Sequence, residues 1–356
     1  MSNEGTCTEF ATELWTTLTD SFRQSVTEKI ESSTPTFSLV ALAETKVSCL
    51  ERGFVSGDIS LDIYRPSTVH EDIDPEAVLS AMLIHATDDD TCTAPRRYVA
   101  CAIVTAATQD EQLIELANIW VRYLFWPFKA DECRCREPSI KETRTSAASR
   151  SHFEDAVKQR DDNRCVVTRV QDMSVNPDVM TITEPTHILK RVAGAGKRSE
   201  TSSAEYATWD ILRHFAALSE DEVNELDANI NCVRNGITLD LCLHTFFDNF
   251  CWTLRPDASI PTSVYKRNIK AVNFEEYPAE LRPSRKLIQF HYSLSKILHA
   301  SGAFWVIVSM MKRFFPEDCV PAKFDCLNAD DLLFYLNAEK MLQQVSIAGD
   351  DIIKGD

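Results

Sequence analysis

One run near the middle of the chain, Asn235-Gly-Ile-Thr-Leu-Asp-Leu-Cys-Leu-His-Thr-Phe-Phe-Asp248, holds residue types that can bind a metal ion. His244 and Asp248 are four residues apart, which places both side chains on one face of a helix. An imidazole and a carboxylate with open coordination positions would suit Mg²⁺ or Mn²⁺, and Zn²⁺ or Ni²⁺ would be second choices. The ordinary alternative is a surface or capping pair, so the interpretation depends on other parts of the sequence.

Two upstream segments complete a larger pattern: Cys165-Val-Val-Thr168 and Pro185-Thr-His187-Ile188. Together with the run above they resemble the HNH endonuclease (ββα-metal) domain, in the form found in many fungal proteins. The nine-residue spacing from Asn235 to His244 fits that family. The resemblance implies that His187 lies on a β-strand and that Asn235 closes a hairpin leading into a helix. It also implies that His244 projects from this helix toward a metal.

The chemistry implied by the resemblance is hydrolysis of a phosphodiester bond in DNA or RNA. His187 would be the general base, Asn235 the residue that orients it, and His244 with Asp248 the metal ligands. A neutral imidazole suits the role of base near pH 7. A divalent metal, Mg²⁺ or Mn²⁺ before Zn²⁺, would stabilise the phosphorane and the leaving oxygen. The basic loop after His187 offers candidate phosphate contacts, namely Lys190, Arg191, Lys197 and Arg198.

Thr186 departs from the family pattern. Well-characterised HNH enzymes have Asp or His immediately before the base, and that residue is a further metal ligand. Threonine ligates metals poorly, so two firm ligands remain, with Glu184 as a candidate third. Two ligands can hold Mg²⁺ when substrate phosphates complete its shell, whereas zinc would bind weakly.

The formal net charge of −17 argues against strong sequence-independent binding to nucleic acid, because that affinity comes mainly from Lys and Arg on phosphates. The charge of residues 151–270 is close to balanced, with 14 Lys and Arg against 18 Asp and Glu. This composition is compatible with a local basic surface on the module. The charge, Thr186 and a long insert favour a rival interpretation, a repurposed HNH scaffold. It would be either an enzyme acting on a small molecule through a His187, His244 and Asp248 pocket, or a non-catalytic binding or regulatory module.

The composition, 44% hydrophobic and 26% charged, is typical of a globular protein. The polar N-terminus has no basic region followed by an apolar run, and the longest apolar stretch, 300–311, is too short to span a bilayer. We therefore expect an intracellular protein without a membrane partner. The 12 cysteines are scattered without a CxxC pair, which favours buried thiols over a four-cysteine zinc site.

The elements that must position these residues are mostly helices. The predicted fold class is α+β, mainly helical, with an HNH-like ββα-metal module embedded between helical segments. We expect a helical N-terminal domain at 1–130, a linker at 131–150, the module at 151–270 with a helical insert at 200–230, and a helical C-terminal region at 271–356 packing on the rest.

Within the module, a strand is predicted at Ile182–Ile188 and a helix at Asp240–Phe250, because the Asn-Gly turn precedes apolar residues at helical spacing. His187, His244 and Asp248 are expected to converge on one ion or water. Further strands are predicted at 165–168, 250–254 and 264–266, and further helices at 76–85, 110–125, 151–162, 204–218 and 330–345. Ser219 and Glu222 are expected to form a capping box, and residues 98–104 fit either a helix or a strand.

Overall fold

The structure of the protein is a computed structural model that describes residues 21–50, 73–87, 93–129, 144–190, 203–255 and 272–314. Across these ranges the protein is mostly helical and contains one small two-stranded antiparallel sheet, which confirms the predicted α+β, mainly helical class. No helix in these ranges is long and apolar enough to cross a membrane. Arg191, Lys197 and Arg198 and the predicted elements at 264–266 and 330–345 lie outside the described residues.

The helices, turns and two strands of the described residues follow one another in sequence order. They are α1 (21–31), α2 (Thr36–Ser48), α3 (Pro75–His85), α4 (Ala94–Ala106), α5 (Asp110–Trp120), a π-helical segment (Val121–Phe125), α6 (126–129), α7 (Arg144–Arg160), β1 (Thr183–His187), α8 (Ser203–Phe215), α9 (Glu220–Ala228), a 3-10 turn (Val233–Asn235), β2 (Gly236–Asp240), α10 (Leu241–Asp248), a second 3-10 turn (Phe274–Glu276), α11 (Arg285–Ala300) and α12 (Ala303–Phe314).

Contacts between Cα atoms divide the protein into two compact units that do not follow sequence order. Unit 1 comprises residues 1–128, 191–229 and 296–307, and unit 2 comprises residues 129–190, 230–295 and 308–356. The predicted helical insert is therefore part of unit 1, whereas both strands and α10 are part of unit 2.

Unit 1 is a cluster of helices in which α4 packs on α2, α3, α5 and α8. Its helices begin at residues suited to that role. The Asp74 carboxylate accepts a hydrogen bond from the Glu76 N–H in front of α3, and Ser219 and Glu222 form the predicted capping box in front of α9. The core of the unit is built from large apolar side chains, including Leu79, Met82, Ile103, Leu113, Trp120, Leu124, Phe125 and Phe215.

Unit 2 places the sheet against α7 and α10. The strands pair with Thr183 opposite Asp240 and His187 opposite Gly236. An almost fully buried ion pair joins the end of α7 to β2. The Arg160 guanidinium lies 2.8 Å from the Asp161 carboxylate, which in turn accepts the Thr238 N–H at 2.8 Å. These bonds satisfy the buried charges and hold α7 beside the sheet.

Some predicted elements differ from the structure. Residues 165–168 form turns, because the Cys165 N–H and C=O bond to residues 170 and 169 and Arg169 adopts a φ of 62°. Residues 250–254 contain no strand, since the backbone turns back and the Trp252 indole N–H bonds to the Leu243 C=O at 2.8 Å. Residues 98–104 belong to helix α4, and α7 begins at Arg144, within the segment predicted as a linker.

Candidate active site

Strand β1 presents its side chains in two directions, and the two directions meet different partners. Glu184 contacts His244 of α10, whereas His187 stacks on Phe153 of α7. This follows from the alternation of side chains along a strand, since residues 184 and 187 have opposite parity. Helix α10 begins directly after β2, with the Asp240 carboxylate accepting the Leu243 N–H as an N-cap. The first residues of β1 and the first turns of α10 therefore lie side by side.

His244 lies between two carboxylates. Its Nδ1 is 2.8 Å from Glu184 Oε2, and its Nε2 is 3.2 Å from Asp248 Oδ2. Burial alone would lower the pKa of His244, but the hydrogen bonds to Asp248 and Glu184 outweigh it and raise the pKa to about 9. In this arrangement the ring is protonated at neutral pH and donates from both nitrogens.

Asp248 also meets a lysine. The Lys190 ammonium lies 3.4 Å from Asp248 Oδ2 and donates to the backbone carbonyl oxygen of Asp248 at 3.3 Å. Burial would raise the pKa of the Asp248 carboxyl, but Lys190 and His244 hold it well below its usual range. The predicted phosphate contact Lys190 thus neutralises a carboxylate of the site, and its side chain is 18% exposed.

His187 has quite different neighbours. Its Nε2 is 3.0 Å from Asn231 Oδ1, and its ring stacks on Phe153 with 4.1 Å between centroids and 9° between planes. Burial lowers the pKa of His187 to about 4, although the hydrogen bond to Asn231 acts in the opposite direction. The charge of Asp248 raises this pKa slightly and that of His244 lowers it.

Asn235 is fully buried and its amide is used by the backbone. Its Oδ1 accepts the Leu189 N–H at 2.8 Å, and its Nδ2 donates to the C=O groups of Leu189 and Ile230 at 2.9 and 3.0 Å. It does not hydrogen-bond the His187 ring, which was its expected role. Asn235 instead secures the backbone immediately after β1, two residues beyond His187.

Gly236 allows α7 to approach the sheet closely. A Cβ atom at this position would lie 2.7 Å from ring carbons of Phe153 and 2.7 Å from Val157 Cγ2. Gly236 is opposite His187 in the sheet, and Phe153 is the ring on which His187 stacks. The missing side chain at 236 therefore leaves the space that Phe153 needs in order to support the imidazole.

The donors for a metal ion are of the right chemical kinds but are not arranged around one point. Glu184 and Asp248 contact opposite nitrogens of His244, and no group of three or more His, Cys, Asp or Glu side chains in the described ranges could hold an ion as it stands. One further donor faces no partner, since the Thr186 hydroxyl is buried without a hydrogen bond. Two carboxylates, an imidazole and this hydroxyl fit a hard divalent cation by chemistry, provided that His244 releases a carboxylate.

The structure thus brings Glu184, His244, Asp248 and Lys190 into direct contact and gives His187 a separate set of partners. Sequence reasoning missed three of those partners, which are Ser149, Phe153 and Asn231. Ser149 belongs to this set because its Oγ accepts a hydrogen bond from the Asn231 amide at 3.1 Å. No local signal pointed to them, because an asparagine in a loop and a phenylalanine on a helix are ordinary residues for those places.

Comparison with known proteins yields a match in this part of the protein. Residues 165–255 match the family model described as HNH endonuclease. The matched segment contains His187, Asn235, His244 and Asp248, so the resemblance to an HNH domain is confirmed for this segment. HNH domains generally depend on a divalent metal. No curated protein and no solved structure matches the sequence significantly.

Proposed function

We propose that residues 165–255 form an HNH-type ββα-metal module that hydrolyses phosphodiester bonds in DNA or RNA with a divalent cation. The observation that carries the proposal is the pairing of two unlike histidine environments in one unit. A neutral His187 and an ionised set made of Glu184, His244 and Asp248 belong to the same compact unit. Hydrolysis of a phosphodiester needs both a base for water and a charged site for the phosphate.

His187 would take the proton from the attacking water. The Nε2 hydrogen bond to Asn231 leaves Nδ1 as the nitrogen that can accept it, and no described residue hydrogen-bonds Nδ1. Phe153 covers one face of the ring, so the imidazole cannot rotate freely away from the water. A base held in this way contributes roughly 10²- to 10⁴-fold to a rate.

Asp248, Glu184 and His244 would hold the cation, with Mg²⁺ or Mn²⁺ preferred. When bound, the cation supplies charge stabilisation to the phosphate and its leaving oxygen. The Lys190 ammonium, 3.4 Å from Asp248, would then be released toward a phosphate oxygen, in keeping with its predicted role. An ammonium group has three donors on a flexible side chain, so it can hydrogen-bond either the Asp248 carboxylate or a phosphate oxygen.

A cleavage assay on the full-length protein tests this proposal. Supercoiled plasmid and end-labelled RNA are incubated with Mg²⁺, Mn²⁺, Zn²⁺ or EDTA, using wild type, His187→Gln and His152→Gln. His152 is an exposed histidine of α7 close in sequence to Phe153, so it is the matched control. Cleavage with Mg²⁺ or Mn²⁺ that EDTA and His187→Gln abolish supports the function. Cleavage that persists in His187→Gln contradicts it.

The repurposed scaffold is the second candidate, and one observation favours it. His244 already engages both carboxylates and Lys190 engages Asp248, so the site is internally neutralised without an ion. Calorimetric titration separates the candidates. Folded wild type that neither cleaves nucleic acid nor binds Mg²⁺, Mn²⁺ or Zn²⁺ would favour the scaffold, acting either on a small molecule or as a binding module.

A further inference from the structure

The hydrogen bonds around His187 continue beyond the ring. Asn231 Oδ1 lies 3.0 Å from His187 Nε2, and Asn231 Nδ2 donates to Ser149 Oγ at 3.1 Å. The series from Ser149 through Asn231 to His187 therefore links α7 to the end of β1 through one loop amide. All three residues belong to unit 2.

An amide oxygen can accept a hydrogen bond but has no proton to donate. A neutral histidine whose Nε2 faces such an oxygen must therefore carry its proton on Nε2, which leaves the lone pair on Nδ1. In the structure the amide oxygen of Asn231 points to His187 and Nδ2 donates to Ser149 Oγ, so both ends of the amide are satisfied in this orientation. One asparagine thus decides which ring nitrogen is basic.

The ring is restrained in a second direction by Phe153. The stacking, with 9° between planes, fixes the plane of the imidazole, and the bond to Asn231 fixes its rotation within that plane. Asn235, the residue expected to orient the base, has its amide oxygen and nitrogen bonded to the backbone of Leu189 and Ile230. Orientation of the ring and support of the backbone are therefore divided between two asparagines.

We propose that Asn231 is the positioning residue of the general base, holding the His187 proton on Nε2 and presenting Nδ1 to water, while its amide nitrogen bonds to Ser149. The role as positioning residue for catalysis rests on the proposed function, whereas the tautomer does not. Ser149 and Phe153 act through the same ring and do not touch the substrate.

Nuclear magnetic resonance of the metal-free, full-length protein tests the tautomer without an activity assay. Long-range proton–nitrogen correlation of histidine-labelled protein at pH 7.5 in EDTA reports which ring nitrogen of His187 carries the proton, and His187→Gln assigns the signal. We expect the Nε2–H form in wild type. The Nδ1–H form, or an equal mixture, would overturn the proposal even if no variant were made.

Three variants test whether Asn231 determines the tautomer of His187. Asn231→Leu removes the acceptor and is expected to give a mixture of tautomers, whereas Asn231→Asp keeps an acceptor and is expected to keep the Nε2–H form. Asn229→Leu changes an exposed asparagine of the same loop and should leave the signal unchanged. A pure Nε2–H form in Asn231→Leu would overturn the proposal. If Asn231→Leu does not fold, Asn231→Ala, which also removes the acceptor, replaces it and should give the same mixture.

Cleavage kinetics under the conditions that support wild-type activity complete the test. Asn231→Leu should lower kcat roughly tenfold to a hundredfold with little change in KM, because the water is less well deprotonated while phosphate contacts stay intact. Asn231→Asp should retain kcat to within a few-fold. An unchanged kcat in Asn231→Leu contradicts the positioning role. If wild type shows the Nε2–H form but cleaves nothing, the proposed function fails while the assignment of the tautomer stands.

Discussion

The surroundings of His187 and those of His244 differ in the charge of the neighbouring groups, which decides whether each imidazole is protonated. His187 has an amide oxygen and a phenylalanine ring, whereas His244 has two carboxylates with a lysine behind them. Burial therefore keeps the first ring neutral, with a pKa of about 4, and the carboxylates keep the second one charged in the metal-free state, with a pKa of about 9. The two histidines are the same residue type, and only their neighbours suit one to the proposed role of base and the other to that of a charged or ligating group.

The largest expected effect comes from removing each histidine in turn. His187→Ala should lower cleavage at least about a hundredfold while leaving Mn²⁺ binding intact, because the base acts on the water and not on the ion. His244→Ala should lose both cleavage and Mn²⁺ binding. Calorimetry and the plasmid assay measure the two quantities, with His152→Ala as the control. Equal loss of Mn²⁺ binding in both variants would contradict the proposed difference between His187 and His244.

Asn235→Ala should cause the largest loss of stability among these variants. The substitution leaves the buried Leu189 N–H and C=O and the part-buried Ile230 C=O without this partner, at a cost of about 3 kcal/mol in the free energy of unfolding. Urea denaturation followed by circular dichroism measures it. Asn229→Ala, at an exposed position, should change stability by less than about 0.5 kcal/mol. A similarly small effect for Asn235→Ala would mean that its three bonds do not support the site.

The two histidines should give opposite pH dependences of stability in EDTA. For His187 the folded pKa of about 4 lies below the ordinary 6.5, so its contribution is present above pH 6.5 and is lost as pH falls toward 4. For His244 the folded pKa of about 9 lies above 6.5, so its contribution is present below pH 6.5 and is lost as pH rises toward 9. Each slope is at most about 1.4 kcal/mol per pH unit.

Urea denaturation across pH 4 to 9 measures this difference in the wild type and two variants. His187→Gln should flatten the acid side of the profile and His244→Gln the alkaline side. Buried His291, whose pKa is lowered to about 3, adds to the acid slope in all three proteins, so only the difference from wild type counts. Flattening on the same side in both variants would contradict the assigned environments.

The smallest effect is expected at Lys190. Lys190→Met removes the ammonium that competes for Asp248, so the affinity for Mn²⁺ should rise about fivefold, the equivalent of about 1 kcal/mol for a half-buried ion pair. Lys46→Met, at an exposed lysine of α2, should leave the affinity unchanged. A fall in affinity would show that Lys190 orders the carboxylates instead of competing for them.

Sequence reasoning located the elements of the site better than the contacts within it. The strand Thr183–His187 and the helix Leu241–Asp248 lie inside the predicted ranges. The helix has a local signal, apolar residues at helical spacing after the Asn-Gly pair, whereas the strand was inferred from the resemblance. The valines after Cys165 also resemble a strand, but the backbone turns there because the Cys165 N–H and C=O bond to residues 170 and 169, and only the Val166 N–H reaches β2, at the Thr238 C=O.

The partners of His187 were beyond sequence reasoning. Asn231 follows His187 by 44 residues in the sequence, whereas Ser149 and Phe153 precede His187 and belong to α7. Their meeting depends on how α7 packs on the sheet, which no periodicity expresses. The expected role of Asn235 was inferred from a resemblance, and the structure assigns its amide to the backbone instead.

Gly236 makes the site vulnerable to inherited change at a residue that performs no chemistry. A single base substitution converts a glycine codon into an alanine codon, and the added methyl group would meet the Phe153 ring at 2.7 Å. Because His187 stacks on that ring, the mutation would displace the imidazole while every polar group of the site stayed present. A survey of natural variants that scored only the histidines, asparagines and carboxylates would count such an allele as intact.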